Sequence, residues 1–360
     1  MRPDPGLLHR ILAAGVRAPS AENVHYLRFQ VLRDTVGLFA TDQGSWAEHP
    51  HRRMLALLSY GAVVENIALR SAELGYALTT TWCPSPSLPD LFVELDWART
   101  AVPPDPLNHA IETRHTNRRF YRRAALSAET LARLTMAANA VPETELLWLD
   151  DPTRRALALK AIRIAETERF RRRALHEELF GAVRFELGWQ RSCGEWLPPA
   201  ALQVELPMRL PFALLRHWKV MRAANCLGMH LALGLRAGYL PCALAPHIGL
   251  ILSGGEGLDF GNFQAGRAFQ RVWLAAASEG LALQPMAATT ALIRQKPGHG
   301  WVSADAKAEL QRLLAALCAG QRGVPYLLFR LGRADAPSVV TERRPVSDYI
   351  SQEPVGAGAV

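Results

Sequence analysis

Two stretches of this chain can be laid over one another, and that repeat limits the folds open to it more than any other feature. GAVVENIALRSAELGYAL begins at Gly61 and GRAFQRVWLAAASEGLAL at Gly266. Leu69 then matches Leu274, Ala72 matches Ala277, Gly75 matches Gly280, and Ala77-Leu78 matches Ala282-Leu283. Each stretch has helical periodicity, stops at a glycine and is followed by an extended apolar run, LFVEL in the first half and LLFRL in the second. Glycine-ended, alanine-rich helices can look alike by chance, but the order helix, glycine, strand recurring in both halves favours a duplicated unit. A length of 360 residues accommodates one large domain or two ordinary ones.

Other elements fall around this repeat. Residues 5–17 read as a helix stopped by Ala18-Pro19-Ser20, and Leu27, Phe29 and Val31 followed by VGLFAT read as a hairpin. A long helix is expected over 52–78, another opens at the capping Ser127 with Leu131 and Leu134 on one face, and residues 159–230 are mostly helical around the proline-bearing LPPAALQVELPMRLP. IGLILS reads as a buried strand running into Gly254-Gly255-Glu256-Gly257. A helix over 264–280, a last helix opened by Ser303 and the strand YLLFRLG complete the pattern.

The net charge is +8, and nearly all the cations are arginine; the lysines are Lys160, Lys219, Lys296 and Lys307. Arginine forks carboxylate and phosphate groups bidentately, so this balance suits an anionic ligand or a nucleic acid, while GC-rich coding would give the same excess. Cys83, Cys193, Cys226, Cys242 and Cys318 are scattered without Cys-x-x-Cys spacing and read as small buried residues in a reducing compartment. The N-terminal apolar pattern is broken by His9 and Arg10, and the apolar stretch 238–252 is too short and too rich in proline to span a bilayer. A cytoplasmic protein without membrane association is the expectation.

Several familiar chemistries are excluded on spacing. HEELF at His176 has Phe180 where a zinc helix needs its second histidine. The Gly254–Gly261 turn has Phe260 in place of a third fingerprint glycine, so it is either a backbone anion site or a plain surface turn. No G-x-S-x-G elbow is present, and the arginines at 171–173 and near 118 lack the interleaved aromatics of a nucleic-acid surface. What remains is RHTNRRF, residues 114–120, where arginine and threonine in one extended turn supply charge-assisted and hydroxyl hydrogen bonds suited to a phosphate. A solvated basic linker between the halves is the rival explanation.

Taken in order, four segments resemble the FMN-dependent nitroreductase family. The first helix with APSAENVHYLRF is similar to that family's helix and A-P-S-x-x-N-x-Q-P-W-x-F loop, and RHTNRRF resembles its opening R-[RH]-[ST]-x-[RK]-x-F motif. GRAFQRVWLAAASEGLALQPM looks like its long central helix, and TERRPV like its C-terminal basic-proline signature. In the family the arginine motif precedes the A-P-S loop, and two chains pair to build each flavin site. Here the loop lies in the first half and the arginine motif opens the second, the order expected of a tandem protein that mimics the family dimer within one chain, as in the Acg-like branch. The loop also departs from Q-P-W at His25-Tyr26-Leu27.

The resemblance implies an α+β nitroreductase-like fold. Residues 1–110 would form a first half and 111–350 a second, with a helical lid inserted at about 165–235 carrying Trp189, Trp196, Pro198 and Pro199, and 351–360 a flexible tail. It implies FMN as cofactor and NAD(P)H as electron donor, with Arg114, Thr116 and Arg343 at the phosphate and His115 near phosphate and ribityl chain. Arg118 would tune the reduced ring, Pro19, Ser20 and Asn23 would border it, and Gly255 would offer a backbone N–H. No side chain acts as nucleophile and no metal is called for. The second composite site should be dead, because MAANAVPETELLWL has a degenerate loop. The expected partner is a small electrophilic or aromatic substrate, and the chain should be a monomeric pseudo-dimer or a homodimer. The alternative is a flavin-sequestering protein closed by its lid.

Overall fold

The protein's structure is a computed structural model describing residues 2–83, 87–254, 257–296, 298 and 300–351. The first part runs α1 (Pro5–Val16), β1 (Leu27–Val31), β2 (Val36–Ala40), α2 (Pro50–Glu73), β3 (Tyr76–Trp82) and β4 (Leu91–Arg99). The second begins with α3 (Ala128–Asn139) and β5 (Thr144–Trp148), then inserts α4 (Pro152–Arg171), α5 (Arg173–Gly181), α6 (Arg209–Leu214), α7 (Trp218–Asn225), α8 (Met229–Gly234) and α9 (Leu240–Leu244). It resumes with β6 (His247–Ser253), α10 (Leu258–Ser278), β7 (Ala282–Pro285), α11 (Ala288–Leu292), α12 (Ala304–Leu317), β8 (Val324–Gly332) and β9 (Ile350–Ser351). This is an α+β architecture.

The two sheets repeat one topology. The first is ordered β3-β4-β2-β1-β9 and the second β7-β8-β6-β5, so each carries the same antiparallel order of four strands, with one helix before its first strand and a matched long helix, α2 or α10, between its second and third; the second repeat adds α4–α9 after β5 and α11 and α12 after β7. β9 is the exception: Ile350 pairs with Phe29 in parallel, so the segment after β8 returns to the first sheet.

The matched helices α2 and α10 cross at their matched glycines. A side chain at Gly61 would meet the Phe263 carbonyl oxygen at 2.0 Å, and one at Gly266 would meet that of Leu58 at 2.1 Å. Each helix therefore presses a glycine onto the residue three before the partner's glycine, the mutual contact of a two-fold interface. Each also crosses into the other core: Phe263 packs in the first hydrophobic cluster, Met54 and Leu58 in the second. Between them the buried Glu65 carboxylate bridges Arg267 at 2.9 Å and Arg271 at 2.8 Å, and Gln270 donates to Asn66 at 2.7 Å. A buried carboxylate is tolerated here because two guanidiniums compensate it.

Some local expectations are corrected. The helix expected over 52–78 stops at Glu73, because Gly75 takes the left-handed φ of +79° that ends a helix, and the following Tyr-Ala-Leu starts β3. The helix expected to open at 264 begins a turn and a half earlier, at Leu258. Cys83 and Cys226 are exposed rather than buried, each lying just past the end of its element. His176 is a core histidine: Nε2 meets the Leu215 carbonyl at 2.8 Å and the ring packs on Phe180. Residues 352–360, most of the expected tail, lie outside the described residues.

Candidate functional site

A cavity of about 470 Å³ opens between the two repeats, within the range that holds organic cofactors. Its floor comes from α2 (Leu55, Leu58, Ser59, Ala62) and α10 (Phe269, Trp273). One wall is the 17–23 loop and another the 114–118 turn, with Arg343 between them. The loop turns tightly because Glu22 and Asn23 both hold left-handed backbones, φ +55° and +64°. That strain is maintained by Asn23 Nδ2, which donates to the Glu342 carbonyl at 3.3 Å.

Six arginines reach the cavity wall. Arg17 pairs with Glu112 at 3.0 Å, Arg169 with Glu166 at 3.0 Å, and Arg236 with Glu205. The other three are those singled out in the sequence, and among the described residues none has an ion-paired carboxylate. Arg114 donates from Nη2 to the Arg17 carbonyl at 2.9 Å and lies 4.5 Å over the Trp273 ring. Arg118 donates to the Ala201 carbonyl at 3.2 Å, and Arg343 to the Ala18 carbonyl at 2.9 and 3.2 Å. Burial pulls Arg118 and Arg343 down to about 10 and Arg114 well below its ordinary value, with neighbouring guanidiniums adding to the effect. Guanidinium still stays charged at neutral pH. Among the described residues three buried polar atoms of the cavity lining have no partner, Arg114 Nε, Ser20 Oγ and His51 Nδ1.

Arg114, His115, Thr116, Arg118, Pro19, Ser20, Asn23 and Arg343 are thus brought to one cavity from both repeats and the C-terminal segment. His115 is turned so that Nδ1 sits 2.8 Å from the Thr113 carbonyl. Gly255 lies outside the described residues, and neither Gly254 nor Gly257 lines the cavity. The insertion roofs the cavity with Phe170, Phe180, Phe212, Leu215, Met229 and Leu233, whereas Trp189, Trp196, Pro198 and Pro199 do not line it. The roof is fastened to the C-terminal segment by Ser192 Oγ, which donates to the Val340 carbonyl at 2.6 Å, and by Glu342 N, which donates to the Cys193 carbonyl at 3.0 Å.

Sequence reasoning passed over two features of the site. Glu22 stands inside APSAEN and lines the cavity; burial, then repulsion from Glu178, pushes its carboxyl up to about 7. Trp273 stands inside GRAFQRVWL and carries Arg114. Glu178 itself is held below the usual carboxylate range: burial acts against ionisation, but His51 at 3.3 Å and Arg52 at 3.0 Å outweigh it.

The counterpart position across the two-fold is filled. Leu55, Leu58 and Ala287 line the cavity; the residues standing where the repeat puts their equivalents are Phe260, Phe263 and Trp82. Trp82 packs against Phe263 with ring centroids 4.9 Å apart and against Phe260 at 5.7 Å. Three aromatic side chains in mutual contact stand there in place of two leucines and an alanine.

No protein-family profile and no curated protein matches the chain. Among solved structures it is similar to NfrA2 of B. megaterium, at 12% identity over 71% of this chain and 76% of that one, with a TM-score of 0.39. It is similar to a nitroreductase with bound FMN from Bacteroides fragilis, at 14% identity over 71% of this chain and 97% of that one, TM-score 0.37. The FMN-dependent nitroreductase NfnB from Mycobacterium smegmatis, in complex with NADPH, matches at 15% identity over 67% of this chain and 94% of that one, TM-score 0.37.

Proposed function

We propose that this cavity holds FMN noncovalently and that the protein is an NAD(P)H-dependent oxidoreductase acting on a small electrophilic or aromatic substrate. The observation that carries this reading is the set of three arginines without carboxylates, Arg114 buried and Arg118 and Arg343 partly buried, converging on one cavity from separate segments and desolvated there. Uncompensated buried charge is costly, so such a set calls for an anion of more than one group. FMN fits because a phosphate and a ring that becomes anionic on reduction lie at opposite ends of one molecule, and because the floor between is apolar. When bound, the flavin supplies hydride transfer.

The chain's own contribution is placement and charge. Arg114, Thr116 and Arg343 take the phosphate, with Arg114 Nε offering an unused hydrogen bond. His115 serves the phosphate and ribityl chain. Arg118, desolvated and repelled by Arg169, offers its charge to the reduced ring, and Pro19, Ser20 and Asn23 close its edge. The roof excludes water. Two sites arose with the duplication, and the aromatic plug of Trp82, Phe260 and Phe263 closed one, leaving one flavin per chain.

The visible spectrum of the purified protein is the first test, followed by Arg114→Ala and Arg118→Ala: unchanged flavin occupancy in both variants overturns the site. The hydrogen bonds fastening the roof favour a second reading, a protein that sequesters flavin without turnover. Steady-state NAD(P)H oxidation with a nitroaromatic or quinone acceptor separates them, since a yellow protein that never turns over excludes the enzyme.

A further inference from the structure

The roof is apolar on both sides. Of the sixteen large hydrophobic residues exposed anywhere in the described chain, eight lie between Leu206 and Leu235. They fall mainly in two rows. Leu206, Leu210 and Leu214 recur every fourth residue along the turn leading into α6 and along α6 itself, exposed by 74%, 70% and 52%. Leu227, Leu231 and Leu235 recur at the same interval along α8 and its flanks, exposed by 91%, 52% and 39%. The ion pair between Arg236 and Glu205 fastens the start of the first row beside the end of the second. The opposite faces of the same segments, Phe212, Leu215, Met229 and Leu233, point into the cavity. A helix apolar all round belongs in a core or in lipid, and these outer rows are covered by no described part of the chain.

Charge selects among possible covers. No aspartate or glutamate occurs between Glu205 and Glu256, while Arg209, Arg216, Lys219 and Arg222 stand among the leucines. Arg216, Lys219 and Arg222 are exposed, and among the described residues none of these four is ion-paired; Arg209 and Arg216 instead lie over the rings of Trp189 and Phe185. Exposed leucines set among unpaired cations, without any acid, match an anionic bilayer surface: side chains enter the acyl boundary and cations meet the headgroups.

We propose that residues 206–235 are an interfacial docking element that seats the protein on anionic membrane, with the roof of its cavity against the lipid. Among the described residues no helix is long and apolar enough to cross a bilayer, so the association is peripheral. This revises the expectation of a protein without membrane contact. It does not depend on the identity of the cofactor.

The test is flotation of the full chain with phosphatidylcholine vesicles, with and without phosphatidylserine. Binding is expected to the anionic vesicles and to weaken as salt rises. The triple variant Arg216→Ser, Lys219→Ser, Arg222→Ser should lower partitioning on the order of a hundredfold, from about one kcal/mol per cation at such a surface. Leu210→Asp with Leu231→Asp should abolish it, and neither variant touches the cavity wall, so circular dichroism and flavin content should be retained. If the leucine variant misfolds, the surface cation variant still decides the matter. Equal binding to neutral and anionic vesicles, or binding to neither, overturns the proposal. So does a dimer in solution that Leu210→Asp dissociates, which would assign the patch to a second copy of the chain.

Discussion

Replacing Arg114 by methionine should separate the stability of the flavin-free protein from its affinity for flavin. In the free protein Arg114 makes one hydrogen bond, to the Arg17 carbonyl at 2.9 Å, and a stacking contact with Trp273 at 4.5 Å. Losing the first costs about 1.5–3 kcal/mol. Losing the second costs about 0.5–2 kcal/mol, of which a methionine sulfur on the same ring returns about 0.3–1.5 kcal/mol. Against this stands the removal of a charge that is buried, unpaired and faced by Arg17 and Arg343, a desolvation penalty of several kcal/mol. The terms nearly cancel, so flavin-free Arg114→Met should unfold within about 1 kcal/mol of the parent, or later. Binding behaves otherwise, because a charge-assisted bond to phosphate disappears with nothing in exchange. Kd for FMN should rise roughly 10- to 150-fold. Urea unfolding of the stripped protein and quenching of flavin fluorescence measure the two quantities. A variant that loses stability while keeping its flavin affinity would refute the reasoning, because Arg114 would then be a structural arginine.

Three further outcomes follow from the packing and the buried charges. Gly266→Ala should destabilise by about 1–3 kcal/mol or more in thermal unfolding, because the Leu58 carbonyl at 2.1 Å is backbone and cannot rotate away; Gly61→Ala should cost a similar amount. Trp82→Ala should destabilise in urea unfolding by less than the ~3–5 kcal/mol of a fully buried tryptophan, because Trp82 is only partly buried, while flavin titration still gives one site per chain. Two pH effects should oppose one another. Glu22 rises from 4.5 to about 7, mainly by burial and next by facing Glu178, with Arg169 and Arg52 acting the other way. The native state therefore holds a proton that the unfolded chain gives up, and stability falls as pH rises through that window, by up to roughly 3 kcal/mol. Urea midpoints of Glu22→Gln should show the fall removed. His25 is lowered from 6.5 to about 3 by burial and next by Arg343, so its contribution is lost as pH falls through that window, and His25→Gln should blunt the acid loss.

What the sequence disclosed and what it concealed divide along a physical line. The crossing of α2 and α10 was legible because contact between two backbones admits only glycine, and the matched glycines mark the place. The arginine turn stood out for a similar reason, since charged and hydroxyl donors lie close together in the chain, and the fold brings Arg114, Thr116 and Arg118 to one cavity. Glu22 stood in plain view inside a quoted motif, yet nothing local announces that a carboxyl will be buried opposite another. His25 departs from the resembling loop, and only the structure gives the departure a purpose: Nε2 donates to the Val16 carbonyl at 3.1 Å and Nδ1 accepts from Ser59 at 3.0 Å, so the histidine braces the loop from behind and stays out of the cavity. The leucines of the roof were equally visible as leucines. Spacing of four says that they share a side of a helix, but whether that side meets the cavity or the solvent depends on how five short helices settle over a distant sheet. Their outward aim, together with the missing acids, turns an apparent lid into a surface that has yet to find its cover, and the same helices then link what the cavity admits to where the protein rests.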